Sequence, residues 1–388
     1  MEAILGTDII ASLNVHNLVT LGLEPRLNND NILQSAMGGK LYRIITGVKD
    51  KVKMNHLSKP NNGLQPRTNC KDWSPSLSVA FRSTELTVCS FELMAEQCED
   101  DFNAGCLRNL EAVGNNMIDM GASAQLSEIQ AAAVMLTMET ITDDIYEIAW
   151  FGDTEFSDAN DQWHSDLSQM DVADAEHLKK KIRHCEGWWK EIVERTAETA
   201  PLEKVRYVDS NDGTAGGNAT NPANVTTFMQ TMINQSSSKL RTWAKARPMA
   251  ERPVFLLQSE IYQAYITYLT SLGNDEAFRL LVNGTPVEGV YTFKGYPVME
   301  VSEWSIFDEK IGAGGKNQRA LFIAQENLVI GIDADSVAGY QGQGLVVQKS
   351  PLVKDKGMYY MYTALKLGAR IAYPELVTAS WNSSTVFI

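Results

Sequence analysis

The sequence of 388 residues has no hydrophobic run near the roughly 20 residues that a membrane-spanning helix needs. Its first residues, MEAILGTDIIASLNVHN, place no basic segment before an apolar core, so we expect no signal peptide. Cysteine is scarce, odd in number and without Cys-x-x-Cys spacing. We therefore expect buried or free thiols in a reducing cytoplasm, not a disulfide framework, for Cys70, Cys89, Cys98, Cys106 and Cys185.

The chain also lacks an excess of basic residues. It has 34 Lys and Arg against 48 Asp and Glu, which gives a formal net charge of −14. Tight, sequence-independent binding of nucleic acid over the whole surface requires clustered Lys and Arg, so this charge argues against it. The charge does not exclude a protein that merely encloses DNA, and it keeps a protein soluble before assembly.

Motifs for nucleotide binding and nucleophilic catalysis are missing as well. The segment 312–316 reads GAGGK, but Asn317 stands where a phosphate-binding loop would carry a hydroxyl for magnesium. A surface loop is therefore the favoured interpretation. The sequence contains no G-x-G-x-x-G after a strand and no G-x-S-x-G elbow, so neither a dinucleotide site nor a hydrolase triad has support.

Two groups of side chains deserve comparison with known site chemistry. His177, His184 and Cys185 are conceivable metal ligands, but no second ligand pair with zinc spacing lies nearby in sequence. We interpret an acidic group near one helix end as a solvated face or subunit contact rather than paired catalytic carboxylates. We thus assign no catalytic, cofactor-binding or metal-binding residue, and we expect no cofactor and no enzymatic activity. The acidic group comprises Asp143, Asp144, Glu147, Asp153 and Glu155.

The strongest positive signal is a long helix over residues 127–154. Ser127 and Gln130 have the spacing of a capping box, and apolar residues then recur at three- and four-residue steps. No Gly or Pro interrupts the pattern before Gly152. The sequence predicts roughly 24 helical residues, well above the usual length of about 11–12.

A hairpin is predicted before this helix. Residues 41–54 read as one strand, with Val48, Val52 and Met54 on one face and lysines on the other. A loop rich in Pro, Asn and Gly follows over 56–75, and a second strand pattern over 77–81 continues through 86–93. The two strands suggest a long hairpin that needs a surface to lie on, although an ordinary hairpin inside a sheet is an equal alternative.

The remaining elements alternate between helix and strand. We expect one helix over 174–199, a short strand over 205–208 and a helix that Asn221 caps with Pro222 in its first turn. Further predictions are a buried strand over 253–257 with a helix capped by Ser259, strands on both sides of Gly295-Tyr296-Pro297, a hairpin-like pair over 320–332 and strands over 358–379.

The order of four segments resembles the major capsid proteins of tailed bacteriophages, which share the Hong Kong 97 capsid fold. The first is the long helix with its ending Ile148-Ala-Trp-Phe-Gly-Asp153, and the second is Pro253-Val-Phe-Leu-Leu257 with the Tyr-rich helix after it. The third is Lys294-Gly-Tyr-Pro-Val298, and the fourth is Leu367-Gly-Ala-Arg-Ile371 followed by Tyr373-Pro-Glu375. Each motif is short, so their shared order carries the resemblance, which touches most of the chain except about 157–220.

The resemblance implies an α+β fold with the parts of such a capsid subunit. These parts are an N-terminal arm over 1–45, an extended hairpin loop over 46–84, a peripheral domain with the spine helix over 85–156, an insertion or connecting region over 157–220, an axial domain over 221–350 and a return to the peripheral domain over 351–388.

The implied function is structural. A major capsid protein would self-assemble into pentamers and hexamers of an icosahedral shell that encloses double-stranded DNA without sequence-specific binding. It would be found in the virion after assembly in the host bacterial cytoplasm, with scaffolding, portal and decoration proteins as partners and no membrane contact. The alternatives are an encapsulin-like cargo shell, or a soluble α/β enzyme or binding protein that works as a small oligomer. Covalent cross-linking through Lys49, Lys51, Lys53 or Lys59 and Asn382 is disfavoured.

Overall fold

The computed structural model describes residues 41–58, 80–98, 128–155, 172–211, 218–246, 252–273, 279–282, 285–310, 317–333, 346–349 and 358–382. These ranges contain seven α-helices: α1 (Glu128–Phe151), α2 (Val172–Ile182), α3 (Trp188–Thr196), α4 (Val225–Gln235), α5 (Ser238–Ala246), α6 (Ser259–Ser271) and α7 (Ser302–Lys310). None of these helices combines the length and the apolar character that crossing a membrane requires.

The same ranges contain fourteen strands and one 3₁₀ turn, Pro374–Leu376. The first seven strands are β1 (Tyr42–Thr46), β2 (Lys51–Ser58), β3 (Ala80–Thr87), β4 (Cys89–Cys98), β5 (Arg206–Asp209), β6 (Val254–Leu257) and β7 (Arg279–Val282). The others are β8 (Thr285–Phe293), β9 (Tyr296–Glu300), β10 (Ala320–Ile323), β11 (Leu328–Asp333), β12 (Val346–Lys349), β13 (Met358–Ile371) and β14 (Val377–Trp381).

The strands form three sheets within the described residues. A five-stranded sheet has the order β1-β11-β13-β12, and β4 also pairs with β13. A seven-stranded sheet has the order β5-β14-β10-β6-β9-β8-β7. The third sheet consists of β2 and β3 alone. Most neighbours are antiparallel, but β1–β11, β5–β14 and β6–β9 run parallel, so the fold mixes both pairing types.

The seven-stranded sheet is buried on both faces at its centre, where β6 and β10 are apolar at every position. One face packs against α1, α3 and α7 in a core that also includes the inner face of the five-stranded sheet. The other face packs against α4, α5 and α6 in a second core. Alternation along β6 shows the division, since Val254 and Leu256 belong to the first core and Phe255 and Leu257 to the second.

The long helix has the predicted length. Helix α1 spans 24 residues, and Ile141, Ile145 and Ile148 are buried as its apolar pattern requires. It ends one residue before Gly152. The predicted capping residue Ser127 lies outside the described residues.

The predicted hairpin is present, but two shorter strands stand in place of each predicted strand. Residues 41–54 divide into β1 and β2, because Gly47 takes a left-handed conformation with φ of 75° and ends β1. Likewise, β3 and β4 separate at Val88. The chain can therefore place β1 and β4 in the five-stranded sheet while β2 and β3 pair only with each other among the described strands.

Three further sequence predictions are wrong in detail. Residues 174–199 form two helices, α2 and α3, with a break over 183–187. Helix α4 begins at Val225, and the Asn221 side chain instead accepts a hydrogen bond from the amide of Ala223 in a turn. Helix α6 begins at Ser259 itself, with Gln258 at the N-cap position. Strand β9 ends at Glu300, and helix α7, for which the sequence analysis gave no prediction, follows it.

The predicted hairpin over 320–332 is also wrong in its pairing. Strand β10 lies in the seven-stranded sheet and β11 in the five-stranded sheet, only four residues later. Strands β13 and β14 make a second crossing between the same two sheets. Asn327 joins the crossings: its side chain donates to the carbonyl of Tyr373 at 2.9 Å and accepts from the Tyr373 amide at 2.6 Å.

Candidate assembly site

The two-stranded sheet of β2 and β3 is named here the projecting hairpin, and its part over 51–55 and 83–87 has one buried and one exposed face. Met54 and Leu86 are buried, whereas Lys51 and Lys53 are exposed. Lys51 forms an ion pair with Glu85 at 2.7 Å across the two strands, and Lys53 lies directly opposite Glu85. Among the described strands, β2 and β3 pair only with each other, so no described strand occupies their outer edges.

The base of the projecting hairpin rests on its own chain. Leu86 is fully buried and packs with Met54, Val329 and Ala372. The surface beneath is lined by glycine: a Cβ at Gly331 would lie 2.7 Å from Leu86 Cδ2. The absence of a side chain there lets the hairpin base approach the five-stranded sheet closely.

A disulfide joins the end of the hairpin to the helical layer. Cys89, the first residue of β4, is bonded to Cys185 between α2 and α3, with a Cα–Cα distance of 5.8 Å. The expectation that both cysteines are thiols is therefore wrong for this structure. Their separation of 96 residues explains why no local spacing motif announced the pair.

The end of α1 meets the loop that carries Cys185 at a glycine–glycine contact. The amide of Gly187 donates to the carbonyl of Gly152 at 2.8 Å, and the amide of Asp153 donates to the carbonyl of Ile182 at 3.0 Å. A Cβ at Gly152 would lie 2.3 Å from the Cys185 carbonyl oxygen, so glycine is required by space. The Gly-Asp turn after the long helix therefore fixes α1 against α2 and α3.

Aromatic side chains fill the space under this junction. Trp150 makes edge-to-face contacts with Trp188 and Trp304, with ring centroids 4.7 Å and 4.9 Å apart. Phe151 stacks on Phe307 at 3.8 Å. Each of these rings is almost completely buried. The cluster brings α1, α3 and α7 into one rigid unit, since such pairs add about 0.5–1.5 kcal/mol each beyond their burial.

Ion pairs bind the same helices together on the side that is nearer to solvent. Lys181 of α2 pairs with Asp144 at 2.6 Å and with Glu147, both on α1. Glu147 also accepts from Lys310 of α7 at 2.7 Å. Burial alone would raise the pKa of Glu147, but the two lysines outweigh it and the pKa is lowered. The carboxylate is thus held ionised as a bridge between three helices.

A second set of ion pairs follows the Gly-Asp turn. Lys190 of α3 lies 3.3 Å from Asp153 and 2.8 Å from Glu155. Burial lowers and these carboxylates raise the pKa of Lys190, with a net rise. Together with the preceding pairs, these contacts show that cations of the same chain pair with acidic residues interpreted as a solvated face or subunit contact: Asp144, Glu147, Asp153 and Glu155. Glu155 also keeps 75% of its side chain exposed, as a solvated face requires, whereas Asp153 is buried.

Glu191 is a buried carboxylate that joins α3 to the five-stranded sheet. It accepts from the amide of Ile371 at 2.8 Å and lies 3.1 Å from Arg195 and 3.3 Å from Arg370. Burial raises its pKa, and these three donors offset only part of that effect. The carboxylate therefore satisfies the backbone of β13 where the helical layer crosses it.

Asp308 of α7 forms a fully buried ion pair with Arg319, the residue before β10. Asp308 also accepts from Gln258 at 2.7 Å and from Asn317 at 2.8 Å. The Arg319 guanidinium lies 5.1 Å from the ring centre of Phe151, so it also contacts the end of α1. Sequence inspection missed this network, because its residues come from three separated segments.

The residues weighed for other chemistry do not form a site. His184 Nε2 lies 2.7 Å from the carbonyl oxygen of Ser90, and its neighbour Cys185 is in the disulfide. Across the described ranges, no three His, Cys, Asp or Glu side chains are grouped as metal ligands. The glycine-rich segment 312–316 lies outside those ranges, while Asn317 binds Asp308. Asn382, a conceivable cross-linking residue, is 7% exposed.

Comparison with known proteins identifies the fold. No protein-family model matches the chain, and no curated protein matches its sequence. The capsid asymmetric unit of cyanophage A-1(L) is similar in structure, with a TM-score of 0.51 and 12% identity over 90% of this chain and 92% of that one. The capsid of Myoviridae phage XM1 has a TM-score of 0.46 and 11% identity over 87% of this chain and 89% of that one. Gordonia phage Cozz has a TM-score of 0.45 and 13% identity over 91% of this chain and 86% of that one. The likeness to the cyanophage subunit confirms the expected α+β capsid fold: this chain folds as that capsid subunit does.

Proposed function

We propose that this chain is the major capsid protein of a tailed bacteriophage. In this proposal it self-assembles into pentamers and hexamers of an icosahedral shell that encloses double-stranded DNA. Its role is structural, not enzymatic, and it belongs to the virion after assembly in the bacterial cytoplasm. The fold that it shares with the cyanophage capsid subunit supports this function.

The projecting hairpin is the single observation that carries the proposal. A two-stranded sheet is only marginally stable alone, and here it is packed on its own chain through Met54 and Leu86 near its base. Its lysine-bearing face is exposed on a chain of net charge −14. A neighbouring copy would present a predominantly acidic surface to these lysines, so a second subunit is a complementary partner.

The proposal includes the division of the chain that the sequence suggested. The arm over 1–45 and the hairpin loop over 46–84 would contact neighbouring subunits. The segments 85–156 and 351–388 would form the peripheral domain, and 221–350 would form the axial domain around the five- and six-fold axes. One pairing supports joining 85–156 to 351–388, since β4 and β13 pair in one sheet although 260 residues separate Cys98 from Met358. Other strands cross the proposed boundary: β11 and β12 of the axial segment lie in the sheet of β13, and β14 of the last segment lies in the seven-stranded sheet. Region 157–220 would connect the two domains, and its residues 188–196 pack in the shared core.

Scaffolding, portal and decoration proteins are the partners that the proposal adds. Their contacts would use surfaces beyond the hairpin, and the DNA inside would be held without sequence-specific binding. The absence of a basic excess in the sequence supports enclosure over tight binding.

Electron microscopy and light scattering on the expressed full-length chain test the proposal, with and without a candidate scaffolding protein. We expect regular closed shells, or isolated pentamers and hexamers that form shells when the scaffold is added. Shells that contain a packaged enzyme instead of DNA in the producing cell would favour an encapsulin-like cargo shell. A persistent monomer or small dimer under both conditions would contradict both and favour a soluble enzyme or binding protein.

A further inference from the structure

We propose that Cys89 and Cys185 form a redox-dependent clamp, which joins the base of the projecting hairpin to the end of α1 when it is oxidised. The inference goes beyond the proposed capsid function, because it concerns a covalent bond within a single chain.

The first support is the position of the two cysteines. Their Cα atoms lie 5.8 Å apart, within the range that an unforced disulfide spans. Cys89 follows Val88, the residue at which the chain leaves the hairpin and enters the five-stranded sheet. Cys185 lies two residues before Gly187, whose amide binds the carbonyl of Gly152 after α1. The bond therefore connects the base of the projecting hairpin to the loop between α2 and α3 that contacts the end of α1.

The second support is that the fold also accommodates the reduced state. Cys89 lies opposite Leu367 in the β4–β13 register, and Cys185 Sγ is 3.3 Å from the Leu367 carbonyl oxygen. A reduced Cys185 could donate its S–H to that oxygen, so reduction leaves no buried donor without an acceptor. Both cysteines also pack against the apolar core, Cys185 fully and Cys89 partly. The same site can thus hold one disulfide, or two thiols once the two sulfur atoms have moved apart.

The chemistry is thiol–disulfide exchange with a small-molecule disulfide such as oxidised glutathione. Cys89 is the more exposed of the two, so its thiolate attacks the glutathione disulfide, forms a mixed disulfide and releases one glutathione. The Cys185 thiolate then attacks the Cys89 sulfur and releases the second glutathione. The protein loses two protons and two electrons, and one glutathione disulfide becomes two thiols.

The redox conditions of the compartment determine whether Cys89 and Cys185 are thiols or a disulfide. In a reducing cytoplasm, excess glutathione drives the reaction towards the thiols, so the chain folds with an open clamp. In an oxidising solution outside the cell the disulfide forms, and it closes a loop of 96 residues that contains the whole of α1. The bond then restricts the unfolded chain and ties the hairpin base to the helical layer.

Mass spectrometry of the unassembled full-length chain tests the pairing. After incubation with oxidised glutathione, denaturation and alkylation, we expect three reactive thiols, against five after reduction with dithiothreitol. Peptide mapping is expected to show one cross-linked peptide that contains Cys89 and Cys185. Other pairings, or five thiols under oxidation, would overturn the proposal. This result does not depend on shell formation, so it stands or fails separately from the capsid function.

Stability and hydrogen exchange test the clamping effect. Oxidation is expected to raise the melting temperature of the wild type by about 3 °C or more and to slow amide exchange in residues 86–93 and 183–188. The double variant Cys89→Ser/Cys185→Ser should show neither change, whereas Cys98→Ser, at the other end of the same strand, should respond like the wild type. Should the double variant fail to fold, the wild type in its two redox states gives the same comparison. An equal response of wild type and double variant, or no response in the wild type, would contradict the clamp.

Discussion

Gly331 and Gly368 lie directly opposite each other on the antiparallel strands β11 and β13, and the base of the projecting hairpin occupies the space above both. A Cβ at Gly368 would lie 2.1 Å from the Thr87 carbonyl oxygen, which is backbone. A Cβ at Gly331 would instead meet the end of the Leu86 side chain at 2.7 Å. The two glycines therefore form a seat for the hairpin, one part rigid and one part adjustable.

From this arrangement we predict that Gly368→Ala and Gly331→Ala lower the free energy of unfolding by unequal amounts. Gly368→Ala must displace the hairpin backbone, so we expect a loss of unfolding free energy of about 2–3 kcal/mol, while Gly331→Ala costs about 1 kcal/mol because Leu86 can change rotamer. Urea unfolding of the unassembled chain measures both. A larger loss for Gly331→Ala than for Gly368→Ala, or wild-type stability in both variants, would contradict the contact between the hairpin base and these glycines.

The exposed face of the hairpin predicts an effect on assembly that is separate from folding. Lys53→Glu places a carboxylate directly opposite Glu85, so we expect the single chain to lose about 0.5–1 kcal/mol of stability; the loss is small because both side chains are exposed. If a neighbouring acidic subunit faces this lysine, the yield of shells or of pentamers and hexamers should fall several-fold, and less so at high salt. Lys180→Glu on α2 makes the same charge change at an exposed site away from the hairpin and serves as the control. Equal yields from the two variants would exclude the hairpin lysine from assembly.

The bridge at Glu147 predicts a pH dependence. The pKa of this carboxyl is lowered below its usual value of 4.5 by Lys181 and Lys310, which outweigh its burial. The folded chain therefore gains stability at pH values above 4.5 and loses it as the pH falls through the lowered pKa. Glu147→Gln should cost about 1–2 kcal/mol near neutral pH, and the difference from the wild type should shrink in acid.

Unfolding free energies over a pH series check this prediction. Glu176→Gln is a suitable control, because Glu176 is exposed and pairs only at 3.4 Å with Lys179 on its own helix. A wild-type advantage over Glu147→Gln that stays constant from neutral pH to pH values well below 4.5 would rule out the ion pairs as its source.

The buried pair of Asp308 and Arg319 predicts the largest single loss of stability. Asp308→Ala would leave the Arg319 guanidinium buried without its carboxylate and remove an acceptor from Gln258 and Asn317. We expect a loss of about 3–5 kcal/mol. Glu309→Ala changes the next residue of α7, which is exposed, and should cost less than about 0.5 kcal/mol. Chemical denaturation of both variants measures the two losses. A loss for Asp308→Ala as small as that for Glu309→Ala would show that the buried network does not stabilise the fold.

The sequence predicted what depends on neighbours along the chain. Helix α1 was predicted with the right length because an uninterrupted apolar pattern extends to Gly152, and the alternation of Val48 and Met54 with lysines gave the buried side of the hairpin. The order of short motifs predicted the capsid fold, which the structural comparison confirms.

What the sequence could not predict is decided by partners far apart in the chain. The apolar pattern of 320–332 is typical of two strands, but nothing local shows that β10 and β11 enter different sheets. The disulfide pairs two cysteines 96 residues apart, and Asp308 and Arg319 look like ordinary surface charges until the fold buries them. The helix break over 183–187 arises because Gly187 must pack on Gly152, which is a tertiary requirement.

Asn327 links the two chain segments that connect the five-stranded sheet to the seven-stranded sheet. The short connections from β10 to β11 and from β13 to β14 are two covalent tethers between the sheets, and the Asn327 amide links them side by side through both polar groups of Tyr373. A pull on either sheet is therefore shared by two tethers in parallel. We expect the two sheets to unfold together under tension instead of separating one strand at a time.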